Sequence, residues 1–226
     1  LLDFSRDGAA LIARQISDDD ILALREMFGA MDFRVGARPF AASPLLDRLL
    51  GQDGCFAQAL TAIGLKSARP VRVLAFDKTA QNNWNLGWHQ DRVIAVKQRR
   101  DVEGFGTWTV KNGVPHVEAP DMLLRQMAFL RLHLDDTPAE NGALKIIPGS
   151  AEHGKLTDAA TGALVKVGPV VVCDAHVGDI LAVKALTLHA SEPSRVPNHR
   201  RVLHVDYCAL DLPSGLEWAL QTHLND

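Results

Sequence analysis

Cysteine is scarce and odd in number: Cys55, Cys173 and Cys208 stand far apart, with no Cys-x-x-Cys pair. That pattern excludes a disulfide framework and a zinc knuckle, and it suits buried free thiols in a reducing cytoplasm. Positive charge is not in excess: 24 Lys and Arg face 27 Asp and Glu, a net charge of −3. The densest basic run, Lys97-Gln98-Arg99-Arg100, is short and reads as a solvated loop, so nucleic acid is not an expected partner. No apolar run approaches the ~20 residues needed to span a bilayer. The opening Leu1-Leu2-Asp3-Phe4 has neither the basic nor the apolar region of a signal peptide, and it starts on Leu, as a trimmed chain would. A cytoplasmic protein without membrane partners is the expectation. Repeats, low-complexity tracts and linkers are also missing, so residues 1–226 read as one domain.

What is present is an ordinary globular composition, 47% hydrophobic and 23% charged, in a chain long enough to bury a substantial core. The first third reads helical, a layer over about residues 1–68. Ser17 before Asp18-Asp19-Asp20 predicts a capped helix start, and Ile21, Leu24 and Phe28 recur on one face. A second helix is predicted over Pro44–Leu50, with Ser43 as cap, Pro44 first and Gly51 after its end. A third is predicted over Cys55–Ile63, stopped at Gly64. After Pro70 the chain turns to short strands: Val71–Phe76, Met127–Leu134, Ala143–Ile147, Gly168–Cys173, Ile180–Leu188 and Arg201–Ala209, punctuated by Gly and Pro. Strands in succession without intervening helices argue against a parallel sheet. They predict a mainly β fold, a sandwich or jelly roll over about residues 70–210 beneath the helical layer. The stretch from about Gln81 to Asp121, with three of the four tryptophans, shows little alternation and reads as long loops over the barrel mouth.

Chemistry is suggested by His89-Gln90-Asp91. Nine histidines and 27 acids in 226 residues supply about one His-x-acid pair by chance, and the chain has four: His89/Asp91, His116/Glu118, His133/Asp135 and His204/Asp206. A non-haem Fe(II) centre takes two His and one carboxylate on one side of the metal and leaves the other positions open. A His-x-Asp at a strand end supplies two ligands, because residues i and i+2 share a face. The third must come from a distant strand. His189 is the candidate, where the hydrophobic Leu186-Thr187-Leu188 runs out into Ala190-Ser191. Eleven residues on, Arg200 enters the next strand and suits a bidentate grip on a carboxylate. A metal plus an arginine matches a 2-oxo diacid, which would chelate the metal at one end and pair with Arg200 at the other.

From Val71 to Ala209 the chain resembles the phytanoyl-CoA dioxygenase-like family of Fe(II)/2-oxoglutarate oxygenases. The resemblance is carried by His89-Gln90-Asp91, the block Leu132–Gly154 (LHLDDTPAENGALKIIPGSAEHG), Gly178-Asp179-Ile180, and His189-Ala190-Ser191 followed by Arg200. The Asp-Asp, Asn-Gly and Pro-Gly-Ser block is the most specific part, although it holds no ligand. The resemblance implies a double-stranded β-helix. It implies Fe(II) held by His89, Asp91 and His189, and 2-oxoglutarate as co-substrate on Arg200 and Ser191, with molecular oxygen. It further implies a dioxygenase that hydroxylates a small molecule at an unactivated C–H, releasing succinate and carbon dioxide. Halogenases related to this family have a small residue at the carboxylate position, so Asp91 favours hydroxylation, with ring closure or desaturation as variants.

Other positions are assigned by strand parity. Asn85 shares parity with His89 and is a candidate for cofactor binding, while Trp84, Leu86 and Trp88 would face the core. His133 and Arg131 share a row that is either solvent-facing or pocket-lining, and both are substrate candidates, as is Trp108 in a Gly-flanked loop. Arg72 is expected to be exposed at a strand end. Arg201 should face away from Arg200, although a one-residue slip would exchange them. His116 is expected to be solvated, and His204 with Asp206 to form a cross-strand structural pair. Two other readings stay open: a cupin-like metal enzyme that does not use 2-oxoglutarate, and a non-catalytic jelly-roll metal-binding protein. The substrate, expected to be a free small polar metabolite, and the oligomeric state are not written in these motifs.

Overall fold

The computed structural model describes residues 1–14, 16–31, 38–39, 42–196 and 198–220. The chain opens with a short helix, α1 (Phe4–Asp7), and a strand, β1 (Ala9–Ile12). The strand departs from the all-helical expectation. Its Ala-Ala-Leu-Ile sequence carries no alternation, and long-range pairing makes it a strand. The helical layer follows as α2 (Asp18–Gly29), α3 (Pro44–Leu50) and α4 (Cys55–Ala62), with a two-residue strand, β2 (Arg38–Pro39), between the first two. Ser17 caps α2 by accepting from the Asp20 amide, and Ser43 caps α3 by accepting from the Leu46 amide. Pro44 sits at the start of α3, where a missing N–H costs nothing. Gly64 ends the α4 segment with φ +78°, a conformation open to a residue without Cβ.

The remaining elements run β3 (Arg69–Lys78), β4 (Leu86–His89), β5 (Val93–Ala95), β6 (Gly106–Lys111), β7 (Val114–Glu118), α5 (Asp121–Leu124), β8 (Met127–His133), β9 (Leu144–Ile146), α6 (Asp158–Val167), β10 (Val171–Cys173), β11 (Ile180–Lys184), β12 (His189–Ser191) and β13 (Arg200–Cys208). A six-stranded sheet has the order β1-β11-β8-β13-β3-β2, and a four-stranded sheet the order β10-β9-β12-β4. Every pairing is antiparallel. Apolar side chains including Phe129, Leu144, Ile146 and Leu181 form a cluster that draws on both sheets, the jelly roll expected from the strand pattern. Ile21, Leu24, Phe28, Leu49 and Phe56 of the helices cluster with Val73, Ala75, Leu130, Leu132, Leu203 and Val205 of the large sheet. The strand period of two therefore sends Arg72, Leu74 and Phe76, and likewise Arg131, to the opposite, inner face, where they line a cavity. Among the described residues no helix is long and apolar enough to cross a membrane, and all three cysteines are buried and free.

Three expectations are corrected. The stretch from Gln81 to Asp121 is not loops: β5, β7 and β6 form a third sheet. Its tight turn is Asn112-Gly113, with φ +51° and +77°, and Asn-Gly between Lys111 and Val114 is a hairpin signal in the sequence. Strands are not uninterrupted, because α6, capped by Thr157 accepting from the Ala160 amide, lies between β9 and β10. With none of its residues buried, α6 shows little of the apolar periodicity that marks a helix. The predicted strand Ile180–Leu188 ends early, at Lys184. The chain leaves the large sheet after Lys184 and turns, the Thr187 amide donating to the Lys184 carbonyl at 2.9 Å, before it joins the small sheet at His189.

Candidate metal centre and co-substrate pocket

That change of sheet brings the distant histidine to the His-Gln-Asp. β12 runs between β9 and β4, and His189 stands opposite His89, their ring centres 4.2 Å apart. Gln90 locks the approach and was missed by sequence reasoning. Its buried amide donates to the Gly154 and Leu186 carbonyls at 2.8 and 2.7 Å and accepts from the Leu156 amide at 2.8 Å. The Asp91 amide donates to the Ala185 carbonyl at 3.0 Å. One ligand atom from each of His89, Asp91 and His189 lies within 4.8 Å of the others, the one such cluster among the described residues.

The donor set suits a divalent metal. Each imidazole turns Nδ1 to a backbone carbonyl, His89 to Gly87 and His189 to Thr187, both at 2.8 Å. A carbonyl only accepts, so each Nδ1 carries the proton and each Nε2 is left bare. The bare nitrogens lie 3.8 and 3.9 Å from the two Asp91 oxygens. Those gaps are too long for hydrogen bonds but shorter than two metal–ligand bonds of ~2.1 Å. Burial pushes His189 down to about 4, so it is neutral at ordinary pH. Burial acts to raise the Asp91 carboxyl, but the nearby His189 and His204 more than offset it and keep it below its usual range.

The triad opens on a cavity of roughly 750 Å³ lined by both sheets and by the β6–β7 hairpin. At one end is Arg200, 2% exposed. Its Nη1 donates to the Gly142 carbonyl at 2.7 Å and to Ser191 Oγ at 3.2 Å, while its Nε has no partner. No carboxylate among the described residues pairs with it, and burial with the nearby Arg131 pushes it down to about 9. A buried cation that lacks a counter-ion is costly unless a ligand supplies one. Arg201, on the opposite face, is already engaged with Asp135 through two bonds of 2.9 and 2.7 Å. The register Arg200↔Lys78 and Arg201↔Asp77 thus decides which arginine faces the cavity.

Several parity assignments change. Between His189 and Ser191, two steps on β12 face three on β4, from His89 to Leu86. This bulge turns both Leu86 and His89 to the cavity, together with Trp84. Asn85 is exposed and is not part of the lining, so its candidacy for cofactor binding is withdrawn, and Trp84 and Leu86 are not core residues. Trp88 does pack toward the core, against the buried cluster of Ile147, Leu156 and Leu188.

Trp108 lies on β6, packed on a hydrophobic cluster and beside Arg99, outside the cavity wall. Arg131 lines the cavity, its Nε without a partner and its guanidinium over the Phe76 ring. His133 is buried behind the wall with Nδ1 3.0 Å from Thr137 Oγ1. Its row therefore faces inward, not to solvent. Arg72, expected to be exposed, lines the cavity and pairs with Asp206 across the strands. His204 bonds Asp206 at 2.7 Å along one strand rather than across two. His116, expected to be solvated, is buried on the cavity wall. These polar groups escaped notice because a strand whose inner face lines a cavity alternates like a strand whose outer face meets water.

A sequence profile of the phytanoyl-CoA dioxygenase family matches residues 4–202. The chain belongs to that family. The match extends further toward the N-terminus than the motifs after Pro70 indicated. No curated protein matches the family member in sequence. Among solved structures it is similar to AviO1 from Streptomyces viridochromogenes Tue57, at 22% identity and TM-score 0.63 over 93% of this chain and 94% of that one. It is also similar to HygX from Streptomyces hygroscopicus, solved with nickel and 2-oxoglutarate, at 18% identity and TM-score 0.60 over 91% and 84%. A third similar structure is the epimerase SnoN in complex with Fe3+, alpha ketoglutarate and nogalamycin RO, at 14% identity and TM-score 0.64 over 96% and 90%. At these identities the likeness is one of fold.

Proposed function

We propose that this family member is an Fe(II)/2-oxoglutarate-dependent oxygenase that hydroxylates a small molecule at an unactivated C–H bond. The overall change is substrate plus oxygen plus 2-oxoglutarate to hydroxylated product, succinate and carbon dioxide. The observation that carries the reading is the pairing of two features in one cavity. Three ligand atoms within 4.8 Å, with both Nε2 atoms bare, face the same space as a buried guanidinium that has no carboxylate. The first feature suits a ferrous ion and the second a dicarboxylate. Iron with its two co-substrates supplies the oxidising chemistry that side chains lack.

The protein's part is positioning. His89 and His189 present their Nε2 atoms, and Asp91 balances part of the ion's charge. Arg200, with Ser191, takes the far carboxylate of 2-oxoglutarate, which fixes the direction in which the keto acid meets the metal. Arg131 stands between the triad and Arg200 and adds positive potential. The end of the cavity away from Arg200, bordered by Arg72, His116 and the Lys111-Asn112 turn, is left for the substrate. Arg200 lies six residues from the Arg72 row along the sheet, about 20 Å at strand rise. That length admits a co-substrate and a sizeable polar metabolite end to end.

SnoN is described as an epimerase and SnoK, another similar structure, as a carbocyclase. C–H attack on this fold therefore has more than one outcome; Asp91 favours hydroxylation over halogenation, and a product with one added oxygen separates hydroxylation from epimerisation or ring closure. The test is anaerobic loading with Fe(II) and 2-oxoglutarate, then oxygen with a metabolite library, reading succinate and a gain of one oxygen atom in a product. Oxygen uptake without need of 2-oxoglutarate would point to a cupin-like enzyme. Metal binding with no succinate from any substrate would point to a binding protein.

A further inference from the structure

Behind the Arg200 wall lies a second buried cation. Lys78 is the last residue of β3, directly opposite Arg200 in the register, and its side chain is 0% exposed. Its Nζ donates to Ser191 Oγ at 2.7 Å and to the Glu192 carbonyl. Ser191 Oγ in turn donates to the Gly142 carbonyl at 3.0 Å, which also accepts from Arg200. Lys78 and Arg200 lie over the same Trp84 ring, 5.2 and 5.9 Å from its centre. The charged groups facing Lys78 are Arg200 from β13, Arg131 from β8 and Glu192 after β12, whose carboxylate is held by Lys145 at 2.5 Å. No carboxylate among the described residues pairs with Lys78, Arg200 or Arg131. Three cations gathered in a dry corner repel one another and lose hydration, so the corner is built for an anion that arrives from outside.

We propose that Lys78 is a positioning residue for the co-substrate, holding the Ser191 hydroxyl and placing a second positive charge behind Arg200, so that the pocket selects 2-oxo acids with a far carboxylate and couples their binding to proton uptake. The inference rests on the function proposed above. Burial, with Arg200 and Arg131 adding to it, pushes Lys78 down to about 7, so the empty pocket holds a partly neutral amine near neutral pH. A bound carboxylate favours the ammonium and raises that value. The gain from the charge is then complete below about pH 7 and is lost as pH climbs from there through the raised value. Across that interval the dissociation constant rises by up to about tenfold per pH unit.

The experiment is calorimetric titration of the Ni(II)-loaded full chain with 2-oxoglutarate between pH 6 and 9, in buffers of different ionisation enthalpy that report protons taken up. 2-Oxovalerate, which lacks only the far carboxylate, is the control ligand. The wild type is expected to take up a fraction of a proton near pH 7.5 and to prefer 2-oxoglutarate strongly. In Lys78→Met the affinity at pH 6.5 should fall about tenfold or more, the pH slope should flatten and the proton uptake should vanish. Lys78→Arg should restore tight binding without the slope. Retained Ni(II) binding in the variants reports an intact fold, and Lys78→Gln serves if Lys78→Met does not fold. Normal affinity and an unchanged slope in Lys78→Met or Lys78→Gln overturn the role of Lys78 alone. A wild type that binds Ni(II) but not 2-oxoglutarate overturns this role and the proposed function together.

Discussion

Replacing Arg200 and its neighbour Arg201 with Met, one at a time, separates a ligand anchor from a structural ion pair. Arg201 spends its guanidinium on Asp135 at 2.7–2.9 Å. Asp135 keeps Arg25 at 3.2 Å when Arg201 is lost, so Arg201→Met should cost about 1–2 kcal/mol of stability. Arg200 has no acidic partner, and the Gly142 carbonyl it bonds also accepts from Ser191. Arg200→Met thus removes an unpaired buried charge and strands no carbonyl, so stability should stay within about 1 kcal/mol of wild type or rise. Ligand binding should show the reverse order. Losing a desolvated guanidinium from a carboxylate costs about 2–5 kcal/mol, a rise of about 30-fold or more in Kd.

The assay is thermal unfolding of the Ni(II)-loaded proteins with and without 2-oxoglutarate at 100 times the wild-type Kd. That concentration stabilises the wild type by about 2.7 kcal/mol, or about 5–11 °C in a chain of this length. A 30-fold weaker site leaves about 0.9 kcal/mol, so the shift in Arg200→Met should be under about 4 °C, while Arg201→Met should shift like wild type from a lower baseline. A full shift in Arg200→Met with loss in Arg201→Met would show the register to be wrong by one residue and remove the anchor on which the function rests.

Three further outcomes are expected. His89→Ala and Asp91→Ala should each abolish turnover and weaken Ni(II) binding, measured by metal titration, since each removes a third of the ligand set. Gln90→Leu should cost about 2–4 kcal/mol in urea unfolding and weaken metal binding too, because two buried carbonyls and one buried amide lose their partner. The third concerns pH. Burial, reinforced by Arg131 and Arg200, pushes His133 well below its usual value, so its neutral form is favoured by folding. Its contribution is complete above about pH 6.5, the ordinary histidine value, and is lost as pH falls toward the depressed value. His133→Met should flatten the decline in stability of the metal-free protein between pH 6.5 and 4.5. An unchanged slope would mean that His133 is already charged or is hydrated in the fold.

The helix starts at Ser17 and Ser43, the stops at Gly51 and Gly64, and the candidate ligands His89, Asp91 and His189 were legible along the chain. Each is announced by local chemistry: a hydroxyl that satisfies free amides, a glycine at a helix end, or a donor pattern that few other uses require. The Asn112-Gly113 turn was equally legible and was overlooked. Position along a strand was legible only to a point. Parity predicted that Arg200 and Arg201 face opposite ways, but it could not show that Asp135 stands beside Arg201 and no carboxylate beside Arg200. Parity failed at Asn85, because the bulge between β4 and β12 exists only where two strands of unequal step meet.

The sequence by itself therefore determined the capped helices of the first layer, most of the strands of the two larger sheets, which residues are able to bind a metal, and the family. The tertiary structure alone decided how charge is distributed around them. Gln90 became a lock, Lys78 a second cation behind Arg200, and His116 and Arg72 part of a wall. Burial and pairing are properties of three-dimensional neighbourhoods, and partners such as Lys78 and Ser191 are separated by 113 residues of chain. Whether a charged side chain is solvated, paired or waiting for a ligand depends on those neighbours, and no local pattern encodes them.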